Sequence, residues 1–357
     1  MKVPSSKSYT CRALLCALLA QGESRVRGVS WCDDELAARR VAQQFSGAKI
    51  DVGESGFLAR AVGVISALKD SDTLISGSGT LLKRKLGLKE LLGDRISGDN
   101  VPFVVRGGGL SGGEIELDGS GGSQVLSGLL LASPYALSDT TITVKELKSR
   151  EYIDMTLSVM HQFGVTVQRD GYSKFHIKCN QKYRGCDYSV EGDWSAASYF
   201  LVWARLRGKD IVIENLNPES LQPDRAIVRA LESAKGGGAI EFDATHCPDL
   251  FTALVPLCAS LSGVSKIKGC TRLYSKESNR AEVLQREFGK FGVNISLDGD
   301  TMSVEGHGKS LFSQQRAIDP SGDHRIAMAT AIMGDGVEIM YKEVVSKSFR
   351  DFFKELG

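Results

Sequence analysis

One carboxylate with cations on both sides is the first feature of the sequence that could do chemistry. The stretch Leu273–Arg280 places Glu277 beside Lys276 and three residues before Arg280. The serine and asparagine between them favour a helix N-cap, and the apolar pattern that follows predicts a helix. Cations at such a positive helix end are best explained by an anionic ligand, beside which a carboxylate can donate a proton and take it back. Taken alone, the octapeptide also fits an ordinary solvated helix start.

A second basic group lies close to the N-terminus. The run Ser5–Arg12 combines three serines with Lys7 and Arg12, and apolar residues follow it as far as Gly22. This pattern predicts a helix that begins at the serines and ends at the glycine. Lys7 and Arg12 could face one anionic ligand, although a capped helix with unrelated basic residues explains the segment equally well.

Polar or glycine-rich turns precede several other predicted helices. These turns are Glu54–Gly56, Leu82–Gly87, Asp118–Gln124, Lys148–Asp154, Cys247–Asp249, Ser321–Arg325 and Val345–Ser348. Glycine lets the backbone approach a ligand closely, and serine hydroxyls with free N–H groups bind phosphate oxygens. None of the turns has P-loop spacing. Asp249 is also, more simply, a favourable residue for the first turn of a helix.

The elements that must position these turns recur along the chain. An amphipathic helix that runs into glycine and is followed by alternating strand residues appears about six times, which indicates repeated modules rather than one doubly wound sheet. Six modules divide into two domains of three. The best candidate for a domain boundary is Arg207–Lys209, after a predicted helix Ser195–Ala204 and before a predicted strand Ile211–Ile213.

The bulk composition limits the possible partners. The 357 residues include 44 Lys and Arg against 43 Asp and Glu, so no overall field attracts nucleic acid or an anionic membrane. Any positive site must therefore be local. The sequence contains no apolar run long enough for a membrane span and begins without the apolar core of a signal peptide, so we expect a cytoplasmic protein.

The cysteines and histidines suggest neither disulfides nor metal. The eight cysteines have no C-x-x-C spacing and several lie in apolar runs, so we expect reduced, buried thiols. The five histidines show no ligand spacing. His324 either forms a hydrogen bond near a ligand or has a packing role.

In their order along the chain, these stretches resemble the 5-enolpyruvylshikimate-3-phosphate (EPSP) synthase family. The resemblance covers nearly the whole chain. No single motif identifies the family, but their occurrence together in this order along the chain is specific for it. The motifs are S-K-S-x-x-x-R at Ser6–Arg12, G-x-x-x-R at Gly56–Arg60, K-R-x-x-G at Lys83–Gly87, D-G-S-x-x-S-Q at Asp118–Gln124, K-S-x-x-Y-I-D-M-T-L at Lys148–Leu157, E-G-D-x-S-x-A-S-Y-F at Glu191–Phe200, P-D at Pro248–Asp249, K-E-S-N-R at Lys276–Arg280, D-H-R-x-A-M-A at Asp323–Ala329, and Lys347.

The resemblance implies an α/β fold, a two-domain inside-out α/β barrel in which each domain contains three βαβαββ-like repeats. It implies that residues 8–206 form an inserted domain on the shikimate phosphate side. Residues 1–7 and 207–357 would form the second domain, which carries Asp249, Glu277, Arg325 and Lys347. The active site would lie in the cleft between the two domains.

The activity implied is transfer of the enolpyruvyl group of phosphoenolpyruvate to the 5-hydroxyl of shikimate 3-phosphate. The reaction is an addition followed by an elimination that releases phosphate, and it belongs to chorismate and aromatic amino acid biosynthesis. The resemblance implies no metal and no organic cofactor. We expect small-molecule substrates, no nucleic-acid or membrane partner, and a monomer.

The resemblance also assigns residues to the two substrates. Shikimate 3-phosphate would contact Lys7, Ser8, Arg12, Ser123, Gln124, Ser149, Asp249 and Lys276. Phosphoenolpyruvate would contact Lys7, Gly56, Arg84, Gln124, Arg280, Arg325 and Lys347. The catalytic residues would be Lys7, Asp249 and Glu277. Asp249 would accept the proton of the hydroxyl, and Glu277 would donate a proton to C3 of phosphoenolpyruvate and later remove one.

Electrostatics suggests how such a site would respond to its substrates. Two like charges about 4 Å apart repel by about 4 kcal/mol at an effective dielectric constant near 20. We therefore expect a cleft lined with cations to resist closing until anionic substrates neutralise it. Closure would then expel water before the reactive intermediate forms.

The sequence departs from the family pattern at several points. Only Met1–Val3 precede Pro4, so the usual first strand is nearly absent, and the segment between residues 12 and 56 looks short by a strand. A bulky Phe57 follows the glycine that a small residue usually follows, and Gly122 and Gly322 replace polar residues. The main charged positions are intact, so we expect activity.

Two alternatives remain open from the sequence. One is a catalytically silent binding protein that retains the fold, suggested by the compressed first module. The other is enolpyruvyl transfer to a different acceptor such as UDP-N-acetylglucosamine. The enzymes for that acceptor use a loop cysteine as the acid, and Ser78–Leu92 contains none.

Overall fold

The computed structural model describes residues 1–308, 316–334 and 336–357, in which helices alternate with short strands. The chain divides into two units. The first unit is Ser5–Glu191, and the second unit is Met1–Pro4 together with Gly192–Gly357. Each unit has its own hydrophobic core of buried aliphatic and aromatic side chains.

The first unit contains six helices and nine strands. In chain order they are α1 (Lys7–Leu19), β1 (Arg25–Arg27), α2 (Asp33–Gln44), β2 (Lys49–Asp51), α3 (Gly56–Ser66), β3 (Thr73–Ser76), α4 (Lys89–Leu92), β4 (Phe103–Val105), β5 (Gly113–Asp118), α5 (Gln124–Ala132), β6 (Thr140–Lys145), α6 (Glu151–Gln162), β7 (Gln168–Asp170), β8 (Lys174–Ile177) and β9 (Asp187–Ser189). The helices predicted after the polar turns are confirmed here.

The described part of the second unit continues the alternation. Its elements are α7 (Trp194–Leu206), α8 (Ile227–Ser233), β10 (Glu241–Asp243), α9 (Phe251–Ala259), β11 (Ser262–Lys268), α10 (Arg280–Gly289), β12 (Asn294–Asp298), β13 (Thr301–His307), β14 (Arg316–Ile318), α11 (His324–Ala331), β15 (Val337–Ile339) and α12 (Phe352–Leu356). Every residue of α9 is buried, as expected for a helix whose sequence is apolar all round.

A repeated module is visible in the sheet topology. In the first unit, β5 and β6 pair in parallel, and the antiparallel strands β8 and β7 complete a sheet of order β5-β6-β8-β7. In the second unit, β10-β11-β13-β12 has the same order and the same directions. With α5 and α6, or α9 and α10, each sheet forms a βαβαββ module, so the prediction of repeated modules is confirmed.

The remaining strands form smaller sheets. Within the first unit, β2-β3-β4 form a three-stranded sheet and β1 pairs in parallel with β9. Within the second unit, β14 and β15 form a parallel pair.

The boundaries of the units differ from the predicted domain boundaries. We predicted junctions at residues 7/8 and 206/207, whereas the units divide after Pro4 and after Glu191. Helix α7 belongs to the second unit because its buried face packs on that unit's core, where the ring of Tyr199 meets Phe352 edge-on at 6.1 Å. This packing partner is distant in sequence, so local composition did not signal it.

Two predicted elements are wrong. Residues 211–213 form no strand: the Met1 amino group donates to Val212 O and the Met1 carbonyl accepts from Glu214 N, but these two hydrogen bonds form no ladder. The turn that we expected to open the last helix is instead a 3₁₀ helix, Lys342–Lys347. The last helix begins later, where Phe352 inserts into the core.

Two further observations concern the chain as a whole. None of the helices in the described ranges is long and apolar enough to cross a bilayer. All eight cysteines lie in the described ranges as free thiols, and six of them are buried, as the sequence predicted.

Candidate active site

Asp249 lies at the centre of a cluster of charges in the second unit. Its Oδ1 accepts hydrogen bonds from Lys276 Nζ at 3.1 Å and Arg280 Nη1 at 2.9 Å, and its Oδ2 from Arg325 Nη2 at 3.2 Å. Asp249 occupies a 3₁₀ turn, Pro248–Leu250, that leads into α9. We refer to Asp249, Lys276, Glu277, Arg280, Asp323 and Arg325 as the charge cluster.

Arg280 connects the carboxylates of the charge cluster. Its guanidinium is 0% exposed and donates to Asp323 Oδ2 at 2.9 Å through Nε, to Asp249 through Nη1, and to Glu277 Oε2 at 2.7 Å through Nη2. Burial lowers the pKa of Arg280, but the charges of Asp323, Glu277 and Asp249 outweigh it and the pKa is raised overall. Arg280 therefore remains a permanent cation that fixes both proposed proton-transfer groups.

Local sequence explains why the cations lie where they do. Arg280 is the first residue of α10, which Asn279 caps by accepting from the Glu282 N–H at 3.5 Å, as predicted. Asp323 caps α11 in the same way, and its Oδ1 accepts from the Arg325 N–H at 3.0 Å. Both arginines thus project from the first turn of a helix.

The charge cluster is balanced within itself. Three cations (Lys276, Arg280 and Arg325) pair with three carboxylates (Asp249, Glu277 and Asp323). Our expectation that uncompensated cations repel one another is therefore wrong for this cluster, because its own carboxylates neutralise them. Burial lowers the pKa of Lys276, and Asp249 offsets part of that effect.

Arg325 also has a neutral partner that the sequence did not reveal. Its Nη1 donates to the Oγ of Ser195, a residue in the first turn of α7. Burial raises the pKa of the nearby Asp224 carboxyl to about 7, although the charge of Arg325 opposes the effect. Lys347, predicted to bind phosphoenolpyruvate, is buried at the end of the 3₁₀ helix Lys342–Lys347.

Lys7 and Arg12 are both held in place within the first unit. Lys7 is the first residue of α1, and its Nζ pairs with Asp34 Oδ2 at 2.9 Å. Arg12, one turn later, donates to Thr156 Oγ1 at 2.8 Å and to the Ser8 carbonyl at 2.8 Å. Burial lowers the pKa of Arg12 to about 10.

Phe57 lies against this arginine. The guanidinium carbon of Arg12 lies 4.4 Å from the centre of the Phe57 ring and 5.8 Å from that of Tyr152. A small residue at position 57 would leave one face of the guanidinium uncovered. The unusual phenylalanine therefore contributes a cation–π contact in this chain.

A third group surrounds Gly56 at the start of α3. A Cβ at this position would lie 3.1 Å from both Arg60 Nη1 and Arg84 Nη2, so a side chain here would displace a guanidinium. Arg60 Nη1 donates to Gln124 Oε1 at 2.9 Å, which brings three predicted site residues and Arg60 together. Burial, together with the Arg84 charge, lowers the pKa of Arg60 to about 10.

The two predicted serines are buried at turns. Ser123 is the N-cap residue of α5, and Ser149 lies in the loop before α6 with φ of 58°, a left-handed conformation that non-glycine residues rarely adopt. Such strain commonly marks functional loops. Their contacts with a phosphate group stay a prediction.

Several residues of these groups were missed by sequence reasoning as site residues. Arg60, Asp323 and Ser195 stood within the motifs, whereas Asp34 stood outside them, and only their tertiary partners single all four out. Asp224 had no sequence signal at all. Within the described ranges, no group of three or more His, Cys, Asp or Glu side chains is arranged to hold a metal ion.

A family model and several named proteins match the chain. The family model described as EPSP synthase (3-phosphoshikimate 1-carboxyvinyltransferase) matches residues 1–83 and 86–356. Proteins named 3-phosphoshikimate 1-carboxyvinyltransferase are similar to the chain. The one from Methanoculleus marisnigri is 33% identical, with 99% of this chain and 94% of the relative covered. The one from Clostridium acetobutylicum is 31% identical, with 100% of this chain and 94% of the relative covered.

The alignment with the Methanoculleus marisnigri protein extends over 406 positions although the chain has 357 residues, so the relative carries segments that this chain lacks.

Solved structures show the same fold. The EPSP synthase from Acinetobacter baumannii superposes with a TM-score of 0.79 at 23% identity, covering 100% of this chain and 94% of the other. A second structure of an EPSP synthase from this organism gives a TM-score of 0.78 at 22% identity. The predicted two-domain inside-out α/β fold class is thereby confirmed. On the extent of the family match and the identity to its members, the chain belongs to the EPSP synthase (3-phosphoshikimate 1-carboxyvinyltransferase) family.

Proposed function

We propose that the protein transfers the enolpyruvyl group of phosphoenolpyruvate to the 5-hydroxyl of shikimate 3-phosphate and releases phosphate. The substrates are two small anions, one a phosphate monoester and the other a phosphate and a carboxylate. The observation that carries the proposal is the charge cluster, in which Asp249 and Glu277 are both fixed by one buried arginine. Two acid–base groups held at a cationic site are what an addition–elimination on an anionic enol requires.

The proton transfers can be assigned to the two carboxylates. In the addition, Asp249 takes the proton of the attacking hydroxyl while Glu277 delivers a proton to C3 of phosphoenolpyruvate. In the elimination, Glu277 takes a proton back from C3 as the C2–O bond to phosphate breaks. Both groups lie in the second unit and are linked by Arg280, so their separation is set by the 3₁₀ turn Pro248–Leu250, the loop before α10 and the first turn of α10.

The contacts of Asp249 impose a condition on this mechanism. Its carboxylate oxygens accept three hydrogen bonds from cations, two at Oδ1 and one at Oδ2, and a carboxylate has about four lone-pair sites. A cation that moves from Asp249 to a substrate anion therefore leaves more of the carboxylate open to the substrate hydroxyl. The anionic substrates supply the reason for release, because their phosphate and carboxylate oxygens bind the same side chains.

The cations of both units are assigned to the substrates by the same chemistry. We propose that Lys7, Ser8, Arg12, Ser123, Gln124, Ser149, Asp249 and Lys276 contact shikimate 3-phosphate. We propose that Lys7, Gly56, Arg84, Gln124, Arg280, Arg325 and Lys347 contact phosphoenolpyruvate. Guanidinium groups bind carboxylate and phosphate with two parallel hydrogen bonds, which favours arginine in this role.

Phosphate release tests the proposal directly. The wild-type protein should release inorganic phosphate when both substrates are present and not with phosphoenolpyruvate alone. Glu277→Gln should reduce kcat by about 10²–10⁴-fold, because it removes the acid–base group without changing its shape. The matched control is Glu282→Gln, an exposed residue in the first turn of α10, which should behave like wild type.

The other outcomes distinguish the alternatives. A well-folded wild-type protein that releases no phosphate with any acceptor would contradict the proposal and favour a silent binding protein. Release with UDP-N-acetylglucosamine but not with shikimate 3-phosphate would contradict the proposed acceptor. A Lys7→Ala variant with unchanged KM values would contradict the role given to Lys7.

A further inference from the structure

Arg60 is a half-buried arginine of the first unit to which the proposed mechanism gives no role. It lies in α3, one turn after Gly56, and its guanidinium donates four hydrogen bonds. All four acceptors are neutral, since three are backbone carbonyls and one is a side-chain amide. These hydrogen bonds order the acceptors around Arg60 without neutralising its charge.

The amide among these acceptors is the side chain of Gln124, the first residue of α5. Arg60 Nη1 donates to Gln124 Oε1 at 2.9 Å. A guanidinium has donors and no acceptor, so the amide must turn its oxygen to Arg60 and its NH₂ group away from it. The hydrogen bond therefore fixes Gln124 in the orientation in which it offers N–H donors to a ligand.

Two further acceptors are the consecutive carbonyls that follow Arg84. Arg60 Nε donates to Leu86 O at 2.8 Å, and Arg60 Nη2 donates to Lys85 O at 2.9 Å. On the other side of Arg84, its own N–H donates to Leu81 O at 3.1 Å, at the end of a 3₁₀ helix. The backbone is thus fixed before and after Arg84, and Arg60 supplies the contacts that follow it.

The last acceptor is the carbonyl of Gly56, which lies 3.0 Å from Arg60 Nη1. A Cβ on Gly56 would lie 3.1 Å from Arg60 Nη1 and 3.1 Å from Arg84 Nη2, so both guanidiniums border the space that the glycine leaves open. Burial and then the charge of Arg84 lower the pKa of Arg60, which shows that the two cations repel each other. Gly56, Arg84 and Gln124 therefore all meet at Arg60.

We propose that Arg60 is a positioning residue of the reaction: its planar guanidinium orients the Gln124 amide and fixes the backbone after Arg84, so that both side chains present their donors to phosphoenolpyruvate. The inference rests on the proposed function, in which Gly56, Arg84 and Gln124 contact phosphoenolpyruvate. It assigns no contact between Arg60 and either substrate. Its consequence is a loss of phosphoenolpyruvate affinity when the planar group is replaced by a point charge.

Steady-state kinetics of Arg60→Lys test the inference. Lysine keeps the positive charge but cannot hold two carbonyls and an amide in one plane. We expect KM for phosphoenolpyruvate to rise by about tenfold, as for the loss of one hydrogen bond to a charged group, with kcat changed by less than about threefold. KM for shikimate 3-phosphate should rise less, because Gln124 is the one acceptor of Arg60 that is assigned to both substrates.

The matched control is Arg95→Lys. Arg95 is a half-buried arginine of the same unit that donates to the carbonyls of Gly109 and Gly107 and is assigned to neither substrate. This variant should leave both KM values unchanged, even where it lowers the free energy of unfolding. A purely structural role for Arg60 would likewise lower the active fraction, and hence kcat, without raising KM. A KM for phosphoenolpyruvate within about twofold of wild type in Arg60→Lys would overturn the inference.

A second variant tests the orientation of the amide and does not depend on the folding of Arg60→Lys. Gln124→Glu gives Arg60 a carboxylate partner, so the free energy of unfolding should not fall. It also replaces the N–H donors with an oxygen, so KM for phosphoenolpyruvate should rise by about tenfold. In the Gln124→Glu background, Arg60→Lys should raise KM by a smaller factor than in wild type, because the contribution of the amide is already lost. An unchanged KM in Gln124→Glu, or fully additive effects in the double variant, would overturn the inference.

The inference and the proposed function fail in different ways. If the wild type turns over and Arg60→Lys matches it, only the inference is wrong. If the wild type releases no phosphate, calorimetric titration with phosphoenolpyruvate still tests the inference, and equal affinity of wild type and Arg60→Lys would overturn it. A wild type that neither reacts nor binds phosphoenolpyruvate would overturn both.

Discussion

Asp323 shows how a residue without substrate contact can organise the charge cluster. Its carboxylate caps α11, accepts from the Arg280 Nε and Nη2, and accepts from the Ser278 hydroxyl at 3.2 Å. Both Asp323 and Arg280 are 0% exposed. The pair therefore exists without screening by water, and removing one charge leaves the other buried and uncompensated.

We therefore expect Asp323→Asn to destabilise the protein strongly. The loss should be about 3–5 kcal/mol in the free energy of unfolding, the range for breaking a buried ion pair from one side. Urea denaturation followed by circular dichroism measures it. Asp298→Asn, the same change at an exposed strand end, should stay within about 0.5 kcal/mol of wild type. Equal stability of the two variants would contradict the role given to Asp323.

Sequence reasoning identified some of these residues and missed others for one physical reason. Glu277 and Arg280 are three residues apart on either side of the N-cap of α10, so a contact between them was within local reach. The bond between Ser195 and Arg325 joins residues 130 positions apart, and only the tertiary fold brings them together. Asp224 carries no local signal because a lone aspartate in a polar turn is ordinary.

Helix caps were the most predictable feature at the level of the elements. The polar turns before α5, α6, α10 and α11 correctly marked the helices that follow them. The end of α1 was less predictable, because the helix stops at Leu19 rather than at Gly22. Short strands were the least predictable elements. Residues 211–213, which we predicted as a strand, form none.

Glu35 in α2 provides a pH-dependent test at this scale. Its Oε2 accepts from the Ser30 N–H and hydroxyl, both at 2.7 Å, and its Oε1 accepts from the Ser5 hydroxyl at 3.4 Å. The side chain ties the start of α2 to the segment before α1. Burial raises the pKa of Glu35 above its ordinary value, although the Ser30 hydrogen bonds oppose the effect.

The sign of the pH effect follows from the raised pKa. Because the folded state holds the Glu35 proton more tightly than the unfolded state, the ionised group costs stability. This cost grows as pH rises from the unfolded value, about 4.3, through the folded value. Glu35→Gln cannot ionise, so its stability relative to wild type should increase as pH rises through that window.

Denaturant unfolding at a series of pH values between acid and neutral measures this difference. The matched control is Glu90→Gln, an exposed glutamate in α4, whose stability relative to wild type should not change with pH. A pH-independent difference for Glu35→Gln would show that the carboxyl has no raised pKa in the folded protein.

At the scale of the whole molecule, the chain is organised as one unit inserted into another. Met1–Pro4 belong with Gly192–Gly357, although the entire first unit separates them in sequence. Val3 is 5% exposed in the core of the second unit, and the Asn215 side chain bonds both its N–H and its carbonyl, at 3.1 and 2.7 Å.

We expect Val3→Ala to destabilise the protein by about 1.5 kcal/mol, the transfer free energy of the apolar groups removed. Val212→Ala is the same chemical change in the segment that faces Met1, and the Val212 side chain is 74% exposed, so it should have almost no effect. Chemical denaturation of both variants measures the difference. Equal effects would show that the first residues are not part of the core.

The order of the modules was predictable from the sequence, whereas their boundaries were not. Helix and strand periodicity indicated repeated helix–strand modules, and the family resemblance implied the βαβαββ form that the sheets β5-β6-β8-β7 and β10-β11-β13-β12 show. The division after Glu191 depends on which core α7 joins, and that is decided by tertiary contacts such as the one between Tyr199 and Phe352.

The central claim is that Glu277, fixed by Arg280, transfers a proton to C3 of phosphoenolpyruvate and takes one back. Reaction in D₂O tests it most directly, because protonation at C3 makes a methyl group that holds a solvent deuteron and an original hydrogen side by side. We predict that deuterium accumulates in the vinyl group of the product with wild type, seen by nuclear magnetic resonance, and that Glu277→Gln loses this exchange together with turnover. Product formed without vinyl deuterium, or equal exchange in the Glu277→Gln variant, would contradict the claim.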